Sequence, residues 1–201
     1  MENRLSDPRR RAIKRVCDLI ISLALIGILS PLMLLLSFGV LLSLGRPIFF
    51  RQERVGRDGK AFIMLKFRSM REGEGALWTT GIDRRKTRFG NFLRRYSLDE
   101  LPQLFNVLSG DMSLVGPRPE TVALVYKFKD EIPRYMQRHL VKPGITGLAQ
   151  IRGLRGNTSL EERIEADVYY IENWSIWLDF KILLLTPGRM LNRSERYTGK
   201  K

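Results

Sequence analysis

Leu19–Gly45 reads LIISLALIGILSPLMLLLSFGVLLSLG, 27 residues without a charge. As one straight helix it measures about 40 Å, against about 30 Å of bilayer hydrocarbon. No clear small-x-small cleavage site follows it, and the run is too long for a removed signal peptide. Ser30-Pro31 sits almost at its middle. Proline lacks the helix N–H and crowds the preceding turn, so a kink or break is expected there. Both flanks are basic: Arg4, Arg9, Arg10, Arg11, Lys14 and Arg15 come before, and Arg46, Arg51, Arg54, Arg57 and Lys60 after. Basic flanks favour the cytoplasmic side, and here both ends ask for it. A single tilted spanning helix fits these residues. So does a helix that enters, breaks at Ser30-Pro31 and returns to the same face. Asp18, at the mouth of the run, is placed at the interface beside Lys14 and Arg15.

The 201 residues suffice for one domain with a real core. A single cysteine, Cys17, excludes a disulfide framework and a cysteine-based zinc site. A single histidine, His139, excludes multi-histidine metal sites and disfavours a histidine-centred triad. A metal here would be a hard ion held by carboxylates, which suits Mg²⁺. The net charge of +14 points to nucleic acid, an anionic membrane surface or a phosphorylated substrate.

Outward from the apolar run, Pro47–Met70 reads as a β-hairpin around Gly56-Arg57-Asp58-Gly59. Arg71–Lys86 reads as a surface loop, with Trp78-Thr79-Thr80 as a lid, an interface contact or plain loop. Thr87–Arg94 reads as a short basic helix. Ser97–Leu108 reads as a helix closed by Gly110. A longer helix is expected over about Glu120–His139. KPGITGLAQ, Lys142–Gln150, reads as a glycine-punctuated loop ending in a short strand. Ser159 opens another helix with capping-box spacing to Glu162. Trp174–Leu191 fits an amphipathic helix lying in the bilayer interface and equally an ordinary core helix, with Pro187-Gly188 expected to kink or stop it. Residues 192–201 read as a frayed basic tail.

The densest chemistry lies in SLDELPQLFNVLSGDMSLVGPRP, Ser97–Pro119. Ser97 and Glu100 have capping-box spacing, with Asp99 complementing the helix dipole. Carboxylates so placed are expected to stay ionised, and an ionised Asp99 can bind Mg²⁺ or attack phosphorus. Neighbours on a helix diverge by about 100°, so Asp99 and Glu100 suit divided roles. In Gly116-Pro117-Arg118-Pro119 the prolines stiffen the backbone, and Arg118 is presented as a two-point phosphate clasp. Lys66, Arg68, Lys142, Arg152 and Arg155 are further cations that could serve a diphosphate.

These pieces together resemble the bacterial sugar transferases of the small monotopic phosphoglycosyl transferase kind. The resemblance runs over nearly the whole chain. It rests on the basic N-terminus, Ser30-Pro31, LKFRSM, the Ser97–Pro119 stretch, KPGITGLAQ and ADVYYIEN. It implies an α+β, mostly helical fold. An N-terminal re-entrant, helix-break-helix membrane segment would precede a compact cytoplasmic domain with a small β-hairpin and interfacial helices. The expected divisions are 1–46 for the basic N-terminus and membrane helix, 47–191 for the catalytic domain and 192–201 for the tail. Larger members carry further membrane helices and another domain ahead of this core, so a minimal form is expected. Other members often continue as helix where this chain has Pro187-Gly188.

The activity implied is transfer of a sugar-1-phosphate from a UDP-sugar to polyprenyl (undecaprenyl) phosphate, releasing UMP. It would begin exopolysaccharide, capsule, O-antigen or glycoprotein glycan assembly at the bacterial inner membrane. Asp99 would be the nucleophile that forms a phospho-sugar aspartyl intermediate, with Mg²⁺ bound beside it. Glu100 would accept the polyprenol phosphate's proton or place the metal, and Arg118 would hold substrate phosphate. The expected partners are the UDP-sugar, polyprenyl phosphate and inner membrane lipid, with homo-oligomers allowed. The sugar stays open among glucose, galactose and N-acetylated amino sugars. The competing expectation is a membrane-tethered basic module that binds nucleic acid or anionic lipid without catalysis. No recognition helix, zinc finger or aromatic RNA-binding motif supports it, and no nucleic acid partner is expected.

Overall fold

The computed structural model describes residues 3–71, 85, 87–154 and 158–197. Helix α1 covers Pro8–Leu44, with Asp7 as its N-cap and Pro31 inside it. The expected break at Ser30-Pro31 does not interrupt the helix. Proline cannot donate to the carbonyl four residues back, at Gly27. The Ser30 hydroxyl donates to that same carbonyl at 2.9 Å, so the Ser-Pro pair leaves no acceptor unmet.

One face of α1 lies along the rest of the molecule. Ile21, Leu25, Ile26 and Leu29 pack on the cluster that holds Leu104, Val107, Leu114 and Ile182. Further on, Met33, Leu36 and Val40 are buried with Phe67 and Leu93. Each such side chain contributes about 1.5–3 kcal/mol when fully buried. The opposite face leaves Ile20, Leu23, Ile28, Leu34, Phe38 and Leu42 exposed. Both ends are tied down by polar contacts. Lys14 donates to Asp179 at 2.6 Å, and Arg68 donates to the Leu44 and Gly45 carbonyls. Asp18 is buried, and its carboxylate accepts from the Leu114 amide at 3.1 Å.

The hairpin forms as expected, with β1 (Phe49–Val55) antiparallel to β2 (Ala61–Phe67) and Val55 opposite Ala61. Helix α2 (Arg88–Arg95) is capped by Thr87. Helix α3 is shorter than expected, at Gln103–Ser109. The capping box does not form: Ser97 is left-handed (φ 54°) and does not cap, and Leu98–Glu100 make a 3-10 turn. Pro102 explains this, because it can neither bond to Leu98 nor sit beside its carbonyl in a continuous helix. Gly110 closes α3 with φ 96°, as expected.

A second sheet joins β3 (Ser113–Val115) to β4 (Gly144–Thr146) in parallel. The single helix expected over Glu120–His139 is two pieces, α4 (Val122–Phe128) and a 3-10 turn at Tyr135–Leu140. Pro133 and the left-handed Arg134 separate them. Helices α5 (Leu148–Ile151) and α6 (Leu160–Glu172) follow, and Ser159 caps α6.

Helix α7 runs from Ile176 through Pro187 to Tyr197. Pro187-Gly188 therefore does not stop it, and the frayed tail expected over 192–201 is helical up to Tyr197. Thr146 and Thr186 are joined at 2.9 Å, which holds α7 to the second sheet at this point. Ile182 is fully buried whereas Trp177, Phe180, Leu184 and Leu185 are exposed, so α7 is a core helix on one side and apolar on its outer side.

Candidate active site

Four of the expected side chains come together. The 3-10 turn before α3 presents Asp99 and Glu100, the end of β2 presents Lys66, and the turn after β3 presents Arg118. Glu100 Oε1 accepts from Arg118 at 2.7 Å and from Lys66 at 3.0 Å. Burial works to raise the Glu100 carboxyl, and the two cations outweigh it, leaving it well below the usual range. Lys66 is lowered by its own burial against the pull of Glu100.

Asp99 differs sharply from its neighbour. It is buried, and no hydrogen bond or ion pair holds its carboxylate among the described residues. Burial first, and then the Glu100 charge, push its carboxyl up to about 6 against the cations Lys66, Arg94 and Arg118. Asp99 therefore stays mostly ionised at neutral pH, as expected, but the expected reason is corrected, because its surroundings oppose the charge rather than favour it. Burial in a 3-10 turn removes the solvation that an open helix terminus would have given it. The two carboxylates do sit in different surroundings: Glu100 binds the two cations and Asp99 binds neither.

Arg118 is aimed by the backbone behind it. Pro117 and Pro119 are buried on either side, while Arg118 reaches Glu100 with its side chain about a third exposed. Gly116 and Gly144 pack so closely that a Cβ on Gly144 would stand 2.1 Å from the Gly116 nitrogen. The two glycine-containing motifs thus interlock, which explains glycine at both. Beneath them Arg138 donates to the Arg118 carbonyl at 2.9 Å and pairs with Asp167 at 2.8 Å. Glu120 lies 3.7 Å from Arg138 and 3.9 Å from Arg163. Arg54 donates to the Pro119 carbonyl at 3.1 Å, and burial together with Arg118 lowers it to about 10. The sequence alone did not single out Arg54, Arg94, Arg138 or Asp167. The only signals were an acidic residue directly after the Gly-Pro-Arg-Pro turn and another within ADVYYIEN.

The remaining cations lie elsewhere. Arg68 serves the C-terminal carbonyls of α1. Lys142 stands at the far end of α3, next to Gly110. Arg152 lies over the Tyr169 ring at 5.4 Å. Arg155, Gly156 and the Trp78-Thr79-Thr80 segment lie outside the described residues. His139 is buried, donates from Nδ1 to the Gly56 carbonyl, and is lowered to about 4 by burial and by Arg138.

Asp99 fits one metal role. Mg²⁺ is commonly held by one or two carboxylates plus substrate phosphates and water. Among the described residues no group of three or more His, Cys, Asp or Glu could hold a metal alone. An unpaired carboxylate beside an arginine that could also clasp phosphate would suit an ion that arrives with its substrate.

A model of the bacterial sugar transferase family matches residues 9–193. The chain is 51% identical over 183 residues to a UDP-glucose:undecaprenyl-phosphate glucose-1-phosphate transferase of Xanthomonas campestris pv. campestris, covering 87% of this chain and 38% of that protein. It is 48% identical over 183 residues to the protein of the same name in Escherichia coli (strain K12), covering 88% and 39%. It is 44% identical over 192 residues to a UDP-N-acetylgalactosamine-undecaprenyl-phosphate N-acetylgalactosaminephosphotransferase of Aeromonas hydrophila, covering 93% and 45%. The chain spans less than half the length of each of these relatives.

Proposed function

Because the chain belongs to the bacterial sugar transferase family, we propose that it moves a sugar-1-phosphate from a UDP-sugar to a polyprenyl phosphate such as undecaprenyl phosphate. The observation that carries this is the unequal carboxylate pair. Glu100 is bound to Lys66 and Arg118, whereas Asp99 is unpaired and buried beside them.

An Asp99 carboxylate oxygen attacks the phosphorus that bears the sugar. The bond to the bridging oxygen of the diphosphate breaks, and UMP leaves with that electron pair. A phosphate oxygen of the polyprenyl phosphate then attacks the same phosphorus. The aspartyl bond breaks, Asp99 returns as carboxylate, and the product is polyprenyl-diphosphate-sugar. Arg118 and Lys66 face the charge that gathers on the phosphates. Glu100, held so strongly ionised, is a poor proton acceptor and is better suited to aiming those two cations. Mg²⁺, held by Asp99 together with substrate phosphate, would neutralise charge on the diphosphate.

The geometry of α1 supports a site on one bilayer face. Its length and composition suffice to cross a membrane. Yet it packs on the same body from Lys14 to Leu44, and both flanks are basic. A helix that crossed the bilayer would have to take its far end away from that body. A re-entrant α1, continuous through Ser30-Pro31, with its apolar face in lipid and the catalytic residues at the cytoplasmic headgroups, satisfies all three facts. The exposed outer side of α7, led by Trp177, suits the same interface.

The test is the leaving product. With polyprenyl phosphate and Mg²⁺, a panel of UDP-glucose, UDP-galactose and UDP-N-acetylgalactosamine is expected to give UMP with one sugar preferred. The relatives named above differ in their sugars, so the panel decides which. Release of UDP instead would mean ordinary glycosyl transfer and would remove Asp99 as nucleophile.

A pH profile gives a second check. A protonated Asp99 cannot attack, and its carboxyl lies at about 6. Mg²⁺ beside it favours the ionised form, so turnover is expected to fall about tenfold per pH unit below a midpoint at or under that value. A profile that stays flat down to about pH 4 would contradict the assignment.

A further inference from the structure

A cavity of about 330 Å³ opens beside the N-terminal turns of α1, and the proposed chemistry does not use it. Cations from three parts of the chain line it: Arg11, Lys14 and Arg15 of α1, Arg57 of the hairpin turn and Lys142. Its wall includes the apolar Leu140 and Val141. It lies at the opposite end of α3 from the Asp99–Glu100 turn, one helix length or about 10 Å away. Arg15 donates to the Val107 and Leu108 carbonyls at that end.

The cations are crowded, and their compensation is uneven: Arg57 pairs with Asp58 at 3.0 Å and Arg15 binds two carbonyls, whereas Lys142 is left without a partner among the described residues. A Cβ on Gly110 would stand 3.4 Å from Lys142 Nζ and 3.5 Å from the Arg15 guanidinium, so both charges lean over the same glycine. Lys142 makes no hydrogen bond or ion pair among the described residues. Burial, and then Arg15 and Arg57, lower its pKa. The only carboxylate lining the cavity among the described residues is Asp18, and it is already engaged by the Leu114 amide and lies 4.0 Å from Lys14. Like charges gathered around an open cavity are relieved by an anion.

We infer that this cavity is a second phosphate-binding site, separate from Asp99, and that its ligand is the headgroup phosphate of an anionic membrane lipid. The lipid source follows from position. The cations of α1 stand immediately before the 27 uncharged residues, where headgroups would lie. The apolar wall suits the glycerol and first acyl carbons. The inference rests on α1 lying at the bilayer and not on the transfer reaction.

The full chain in detergent is titrated with dihexanoyl phosphatidylglycerol or with inorganic phosphate, and its thermal unfolding is followed. Phosphatidylglycerol at a hundredfold excess over its Kd is expected to raise Tm by about 5 °C or more. Lys142→Gln and Arg57→Gln are each expected to weaken that binding about tenfold, from loss of one charge-assisted contact. Without ligand, Lys142→Gln should melt at or above the parent, which separates lost binding from lost folding. The Asp99→Asn chain should keep the full shift. A parent chain that shows the shift but releases no UMP would count against the transfer reaction alone. An equal shift with inorganic phosphate overturns the lipid source. No shift in the parent, a shift that survives both cavity variants, or one that disappears in Asp99→Asn overturns the site.

Discussion

Asp99→Asn is expected to lower UMP release by roughly 10³-fold or more while leaving the fold as stable as the parent or more so. The two effects share one cause. Asparagine is nearly the shape of aspartate but has no anionic oxygen to attack phosphorus. Asp99 is also a group the fold holds against its preference, since burial and Glu100 push its carboxyl from the usual 3.8 up to about 6. A carboxyl raised on folding binds protons more tightly in the native state. Stability therefore falls as pH rises between about 4 and 6, and the penalty is fully present at pH 7. Removing the charge is worth up to about 3 kcal/mol there. Melting curves of the two chains should differ most at pH 7 and converge below about pH 4. A variant that is inactive and also clearly less stable at pH 7 would show that Asp99 supports the fold, and its inactivity would say nothing about chemistry.

Arg138→Met should give the largest loss of stability of any single change near the site, about 3–5 kcal/mol. Arg138 is almost wholly buried, and it stands between Asp167, Glu120 and the Arg118 carbonyl. Methionine fills much of its volume but leaves Asp167 as an unpaired charge in the interior. Burial already pushes the Asp167 carboxyl up to about 6 with Arg138 opposing. Without Arg138 it rises further, so Asp167 is protonated at mildly acid pH and the damage should be smallest there. Arg138→Met combined with Asp167→Leu should recover most of the melting temperature, because the stranded charge is gone. Turnover should not recover with it, since the Arg118 carbonyl still lacks its donor. Recovery of both would reduce Arg138 to a partner for Asp167.

The Ser97–Pro119 stretch was legible to different depths. Gly110 as a helix end and Arg118 on a stiff turn follow from local backbone preferences, and both appear. The capping box failed because Pro102, also in plain view, outweighs the Ser97-to-Glu100 spacing. Glu100 then turns to Lys66, 34 residues away, and to Arg118, 18 residues away. Among the basic residues, sequence position did not distinguish Lys66, which reaches Glu100, from Arg68, which holds the end of α1.

The sequence by itself determined an apolar helix with basic flanks, a hairpin, a stiff arginine turn and adjacent carboxylates. Each depends on neighbours within a few residues, where periodicity, proline and glycine act. Tertiary structure decided the rest. It paired β3 with β4, sent Lys142 to one end of α3 and Lys66 to the other, and set Arg138 beneath Arg118. It also gave the two adjacent carboxylates opposite characters, with Glu100 held far down and Asp99 pushed up. That difference comes from burial and from charges brought in by distant segments, and no local pattern encodes either.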